Sequence, residues 1–192
     1  MTAVKNISFL FGRIIILNDI RQVLKTLITS DDIQSRICEL SEQISLDFKN
    51  KSVTLICVLK GSIFFAVDLA KKLDLIFDME FIEISSYGNG RQSSGDIIVT
   101  KDLKNPLPNK HFIIVEDIID TGCSLNFLIN HLKKFNPLSI STCVLLDKPD
   151  RRKINIKPDY AGFVIDDKFI VGYGLDYCDH FRNINYIGYL ED

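Results

Sequence analysis

Val115-Glu116-Asp117-Ile118-Ile119-Asp120-Thr121-Gly122-Cys123-Ser124 is the stretch on which the reading of the fold turns. The apolar run 112–115 reads as a buried strand. It ends in two acids, and two apolar residues separate these from Asp-Thr-Gly-Cys-Ser. A helical pattern follows, with Leu125, Leu128, Ile129, Leu132 and Phe135 on one face, and Asn136-Pro137 ends it. The first N–H groups of a helix lack partners and carry partial positive charge. Gly122 admits a ligand close to the backbone, and Thr121 and Ser124 add hydroxyls, so the turn suits a phosphate. Thr-Gly-x-Ser by itself is equally an ordinary helix N-cap. The acids need another partner, because carboxylates repel phosphate. Sugar hydroxyls or Mg2+ would serve. One ligand then fits the whole string: a phosphorylated ribose.

Working outward, Val53–Leu59 is another apolar run, punctuated by Gly61-Ser62 and followed by a buried helical stretch over 63–73. Residues 81–85 are β-prone. The polar, glycine-rich GNGRQSSG before Ile97 reads as a mobile loop spanning about 86–97. The runs 141–146, 160–165 and 169–173 supply further strands. The first third reads as helical, with a helix start at Ser30-Asp31-Asp32 and Ile33, Ile37, Leu40 and Ile44 on one face. Strands alternating with helices give an α/β fold with a mainly parallel sheet. Ligands of such sheets bind outside the carboxyl ends of the strands. Lys60, Asp117, Lys148 and Asp176 each follow one expected strand.

Composition narrows the class. Hydrophobic residues make up 46% and charged residues 25%, which excludes a disordered chain. The net charge of −2 argues against a nucleic-acid partner. Cys38, Cys57, Cys123, Cys143 and Cys178 show no CxxC spacing, so neither a disulfide framework nor a zinc site is expected. His111, His131 and His180 form no ligand motif and read as surface or satisfied polar groups. The most apolar segment, 55–70, is short and interrupted by Lys60 and Asp68, so no membrane span is expected. No leader pattern opens the chain, and a cytoplasmic setting follows. Arg151, Arg152 and Lys153 read as a solvated basic face.

The string VEDIIDTG resembles the phosphoribosyl-pyrophosphate signature of the type I phosphoribosyltransferases, in the wording of the hypoxanthine-guanine branch. LKGS (59–62), SSYG (85–88), DKPDRR (147–152) and DKFIVGYGLDY (167–177) extend the resemblance over most of the chain from Leu59 onward. It implies one domain over 1–192, with a twisted, mainly parallel sheet flanked by helices and a small hood from the terminal segments. It also implies a purine salvage activity. Hypoxanthine, and guanine with it, would react with phosphoribosyl pyrophosphate to give the 5′-mononucleotide and pyrophosphate.

The resemblance carries roles as well. Glu116 and Asp117 would hold the ribose hydroxyls, directly or through Mg2+. Asp120 would be the general base near purine N7. Residues Thr121, Gly122, Cys123 and Ser124 would hold the 5′-phosphate. Lys60, Gly61 and Arg182 would bind pyrophosphate, with the Leu59–Lys60 peptide open between cis and trans. Asp176 would take a second Mg2+. Lys148 would donate to purine O6, Phe169 would stack on the base, and the carbonyl of Ile170 would read its edge. Ser86 and Tyr87 would begin a loop that closes over the reacting centre. A homodimer or homotetramer is the expected assembly. Cys123 departs from the family, which varies there between lysine and apolar residues. The rival readings are an RNA-binding regulator on the same fold, a transferase for another base and a dinucleotide-binding oxidoreductase, against which no GxGxxG follows a strand.

Overall fold

The computed structural model describes residues 24–86, 97–104 and 108–190. Nine strands and three α-helices alternate along the described chain. In order they are β1 (Lys25–Ile28), α1 (Ser30–Asp47), β2 (Val53–Leu59), α2 (Ile63–Lys72), β3 (Phe77–Ser86) and β4 (Ile97–Lys101). Then come β5 (His111–Ile119), α3 (Cys123–Lys133), β6 (Ser139–Asp147), β7 (Tyr160–Val164), β8 (Ile170–Val171) and β9 (Ile187–Tyr189).

Six strands form the main sheet in the order β4-β3-β2-β5-β6-β7. β4 runs antiparallel at one edge, and the other pairings are parallel. From β2 the chain crosses to β3 on one side, and from β5 it crosses to β6 on the other. The strand order therefore reverses between β2 and β5, the place where an open α/β sheet leaves a crevice for ligand. Right-handed crossovers in opposite directions put their helices on opposite faces. Alternation along the strands agrees. Leu55 and Cys57 of β2 pack with Ile33, Ile37, Phe65 and Leu69 of α1 and α2. Ile56 and Val58 pack with Leu125, Leu128 and Leu132 of α3.

A second, antiparallel sheet, β1-β9-β8, forms the small hood, with Lys25 opposite Tyr189. It corrects two expectations. Residues 25–28 are strand, so the first third is not uniformly helical. The expected strand 169–173 shrinks to Ile170–Val171 and belongs to the hood, so Asp176 follows no strand of the main sheet. β5 also runs four residues past its apolar run, because Ile118 and Ile119 still pair with Leu146 and Asp147 of β6. Helix α1 starts where expected, capped by Thr29. Its hydroxyl accepts from the Asp32 N–H at 3.1 Å, and Asp32 returns a bond to the Thr29 N–H at 3.4 Å. Such a capping box stabilises a helix by about 1 kcal/mol. No described helix is long and apolar enough to cross a membrane.

Candidate active site

Because β2, β5 and β6 are parallel, Lys60, the 116–124 stretch and Lys148 emerge at one edge of the sheet. A cleft of about 200 Å³ there is lined by Glu116, the turn 118–122 and Ser124. Gly122 caps α3 with φ of 83°, in the left-handed region that favours glycine. A Cβ at Gly122 would lie 2.6 Å from Ile156 Cγ2. Among the described residues the N–H groups of Thr121 and Gly122 donate to nothing, while that of Cys123 donates to Thr121 Oγ1 at 3.3 Å.

The two acids of β5 are short of partners. Oε2 of Glu116 is buried and has no hydrogen-bond partner among the described residues. Burial, and then the neighbouring Asp117 charge, push the Glu116 carboxyl well above the usual range. Burial lifts Asp117 to about 6, against the pull of the Ile118 N–H, which donates to Oδ1 at 3.0 Å. Asp117 points at Gly61: a Cβ on Gly61 would lie 1.8 Å from Asp117 Oδ2. The Leu59–Lys60 peptide is cis.

Two side-chain clusters flank these acids. In the first, Arg182 pairs with Asp176 at 2.7 Å and Asp179 at 3.1 Å, and donates to the Gly174 carbonyl at 2.7 Å. Lys60 Nζ is 3.7 Å from Asp179. The charges of Arg182 and Asp176 both act on Asp117, which ties this cluster to the β5 acids. In the second, Arg151 donates to Asp120 at 2.8 Å and to Asp167 at 3.0 Å. Lys148 is buried, donates to the Lys168 carbonyl at 2.5 Å, and lies 3.7 Å from Asp167. Phe169 is 47% exposed and meets Tyr177 edge-on at 5.5 Å. Ile170 is buried in β8 opposite Tyr189. Ser86 closes β3; its side chain, and Tyr87 with most of the expected mobile loop, lie outside the described residues, whereas Ile97 already belongs to β4.

The structure thus gathers Lys60, Gly61, Asp117, Asp176 and Arg182 on one side, and Asp120, Lys148 and Phe169 on the other. Arg151 and Lys153 are exposed, as a solvated basic face requires, whereas Arg152 departs from that reading. Arg151 also bridges two carboxylates, and Arg152 has a side chain only 14% exposed, paired with Asp147. A charge run reveals nothing of such pairing. Asp147, five residues before Arg152 at the end of an apolar run, was the available signal. Asp167 and Asp179 were likewise missed.

The family model of the phosphoribosyl transferase domain matches residues 29–178. This chain belongs to the phosphoribosyltransferase family. The hypoxanthine-guanine phosphoribosyltransferase of Bacillus subtilis is 41% identical over 167 residues, covering 87% of this chain and 93% of that one. A crystal structure of a hypoxanthine phosphoribosyltransferase from Staphylococcus aureus matches with a TM-score of 0.85 and 39% identity, covering 90% of this chain and 94% of that one. The bifunctional protein TilS/HprT of Listeria monocytogenes is 40% identical over 174 residues, 91% of this chain; the chain spans 26% of that protein's length. The mainly parallel sheet with helices on both faces is the type I phosphoribosyltransferase fold.

Proposed function

We propose that this phosphoribosyltransferase serves purine salvage, converting hypoxanthine, and guanine with it, to the 5′-mononucleotide. The observation that carries this reading is the placing of two underpartnered acids and a phosphate turn between a cationic cluster and a half-exposed aromatic ring. The activities for which its relatives are named support it.

Thr121, Gly122, Cys123 and Ser124 hold the 5′-phosphate through backbone N–H groups and hydroxyls. Asp117 and Glu116 accept from the ribose hydroxyls. The buried free oxygen of Glu116 and the raised carboxyl of Asp117 also suit Mg2+, which takes one or two carboxylates and completes its shell with substrate oxygens and water. Asp176 is a further carboxylate for it. When bound, the ion neutralises the charge of the departing pyrophosphate. Lys60, Gly61 and Arg182 receive that pyrophosphate. Lys148 donates to purine O6, Phe169 covers one face of the base, and the Ile170 carbonyl faces its edge. The purine N9 pair forms the bond to C1 of the ribose as the C1–O bond to pyrophosphate breaks, and its electrons leave with pyrophosphate. Asp120 takes the proton from N7. Holding both ligands in line supplies much of the rate.

Residues 1–192 act as one domain in this reading: the hood joins β1 and β9, one from each side of the main sheet's sequence. Five free thiols accord with a cytoplasmic setting, and a homodimer or homotetramer is the proposed assembly. The test is a panel of bases incubated with the purified protein, phosphoribosyl pyrophosphate and Mg2+. Hypoxanthine and guanine should yield nucleotide and pyrophosphate. Product from uracil or orotate, with none from either purine, overturns the reading.

A further inference from the structure

The segment 147–156 meets the phosphate turn at the level of the backbone, and Arg152 makes most of the join. Its guanidinium donates to the carbonyls of Ile119 at 2.9 Å, of Lys148 at 3.3 Å and of Asp120. Nε donates to the Ile156 carbonyl at 3.2 Å, and the remaining amino group pairs with the Asp147 carboxylate. Behind it, the N–H groups of Lys153 and Ile154 reach the Thr121 carbonyl at 3.0 and 3.4 Å. Three consecutive carbonyls, those of Ile119, Asp120 and Thr121, are therefore turned to the same side.

A trans peptide unit is planar, and its C=O and N–H point in opposite directions. Turning those three carbonyls toward 152–154 aims the N–H groups of Asp120, Thr121 and Gly122 the other way. The cleft lined by Glu116, Asp120 and Ser124 lies on this stretch, and the N–H groups of Thr121 and Gly122 donate to nothing among the described residues. A cation this close to a phosphate turn is usually taken for a phosphate ligand. Here the guanidinium is committed to four carbonyls and a carboxylate.

We infer that Arg152 is a positioning residue: it orients the peptide planes of the phosphate turn so that their N–H groups face the phosphate. The inference rests on the phosphate role proposed above for residues 121–124. Nε and the second amino group, held by the Ile156 carbonyl and the Asp147 carboxylate, fix the plane in which the first amino group meets the Ile119, Asp120 and Lys148 carbonyls; an ammonium offers no such fixed plane.

Calorimetric titration of the purified protein with inosine 5′-monophosphate and with inosine separates the cases. In Arg152→Gln, affinity for the nucleotide should fall roughly tenfold to a hundredfold, the size of effect seen when an outer support of a bound group is removed. Affinity for inosine, which lacks the phosphate, should change little. Arg152→Lys should lose nearly as much as Arg152→Gln. Full recovery by lysine would mean that charge, not orientation, matters, and would overturn the inference. So would equal losses for nucleotide and nucleoside, an unchanged nucleotide affinity in Arg152→Gln, or failure of both variants to fold, each of which leaves Arg152 with no specific role at the turn. A parent protein that does not bind the nucleotide instead overturns the functional reading.

Discussion

Asp117 shows how a single residue can hold stability and function in opposition. Burial raises its pKa to about 6, against about 3.9 in an unfolded chain. Between those values the folded state binds the extra proton, so stability rises as pH falls through 6 toward 4. Above pH 6 the ionised carboxylate is a standing cost. At about 1.4 kcal/mol per pKa unit its upper bound is roughly 3 kcal/mol, reduced by the partial exposure of the side chain. Asp117→Asn, in chelator-treated protein free of ligand, should therefore melt a few degrees above the parent at pH 7.5. The gap should narrow as pH falls through 6 and close only below about pH 3.9, the unfolded pKa. The same variant should bind phosphoribosyl pyrophosphate more weakly, since it loses the acceptor proposed for the ribose hydroxyls. A melting temperature at pH 7.5 equal to or below the parent's would mean that Asp117 is not held at a cost. Glu116, with its buried free oxygen and a carboxyl pushed up by burial, is held in the fold at a cost of the same kind.

At the scale of elements, the site depends on how closely β2 and β5 approach at their carboxyl ends. Gly61, just past β2, leaves space that the Asp117 carboxylate of β5 fills; a methyl group there would lie 1.8 Å from Oδ2. Gly61→Ala should displace Asp117 and raise the KM for phosphoribosyl pyrophosphate more than the KM for hypoxanthine. Steady-state kinetics with each substrate varied in turn decides this, and parallel rises would point to a general loosening. Much of this level was legible beforehand. β2 and β5 are apolar runs buried on both faces, and α3 carries a clear one-face pattern, so the strand–turn–helix with its acids and Gly122 could be read directly. β1, β4 and β9 could not. Each is three to five residues long, and Lys25 finds its partner in Tyr189, across nearly the whole chain. Short strands carry little periodicity, and pairing at such separation leaves no local trace. Arg152 was misread for a related reason: four of its five acceptors are carbonyls, which every residue has, and only the Asp147 carboxylate could have announced it.

At the scale of the whole molecule, the hood and the sheet are fastened by polar contacts as well as packing. Tyr173, which follows β8, donates its hydroxyl to Asp68 of α2 at 2.7 Å, and Gln34 of α1 donates to the same carboxylate oxygen at 2.8 Å. Phe169, just before β8, stands half in water against Tyr177. The chain contains no tryptophan among its 192 residues. Phe169→Trp would consequently introduce a lone indole at the proposed base site, excitable apart from the tyrosines and reporting from one position. Its emission should change in a saturable way on adding inosine 5′-monophosphate and stay constant with ribose 5-phosphate, which has no ring to stack. A spectrum indifferent to the nucleotide would remove Phe169 from the base site. A saturating one would make the protein its own optical gauge of occupancy, readable in real time and without a labelled substrate.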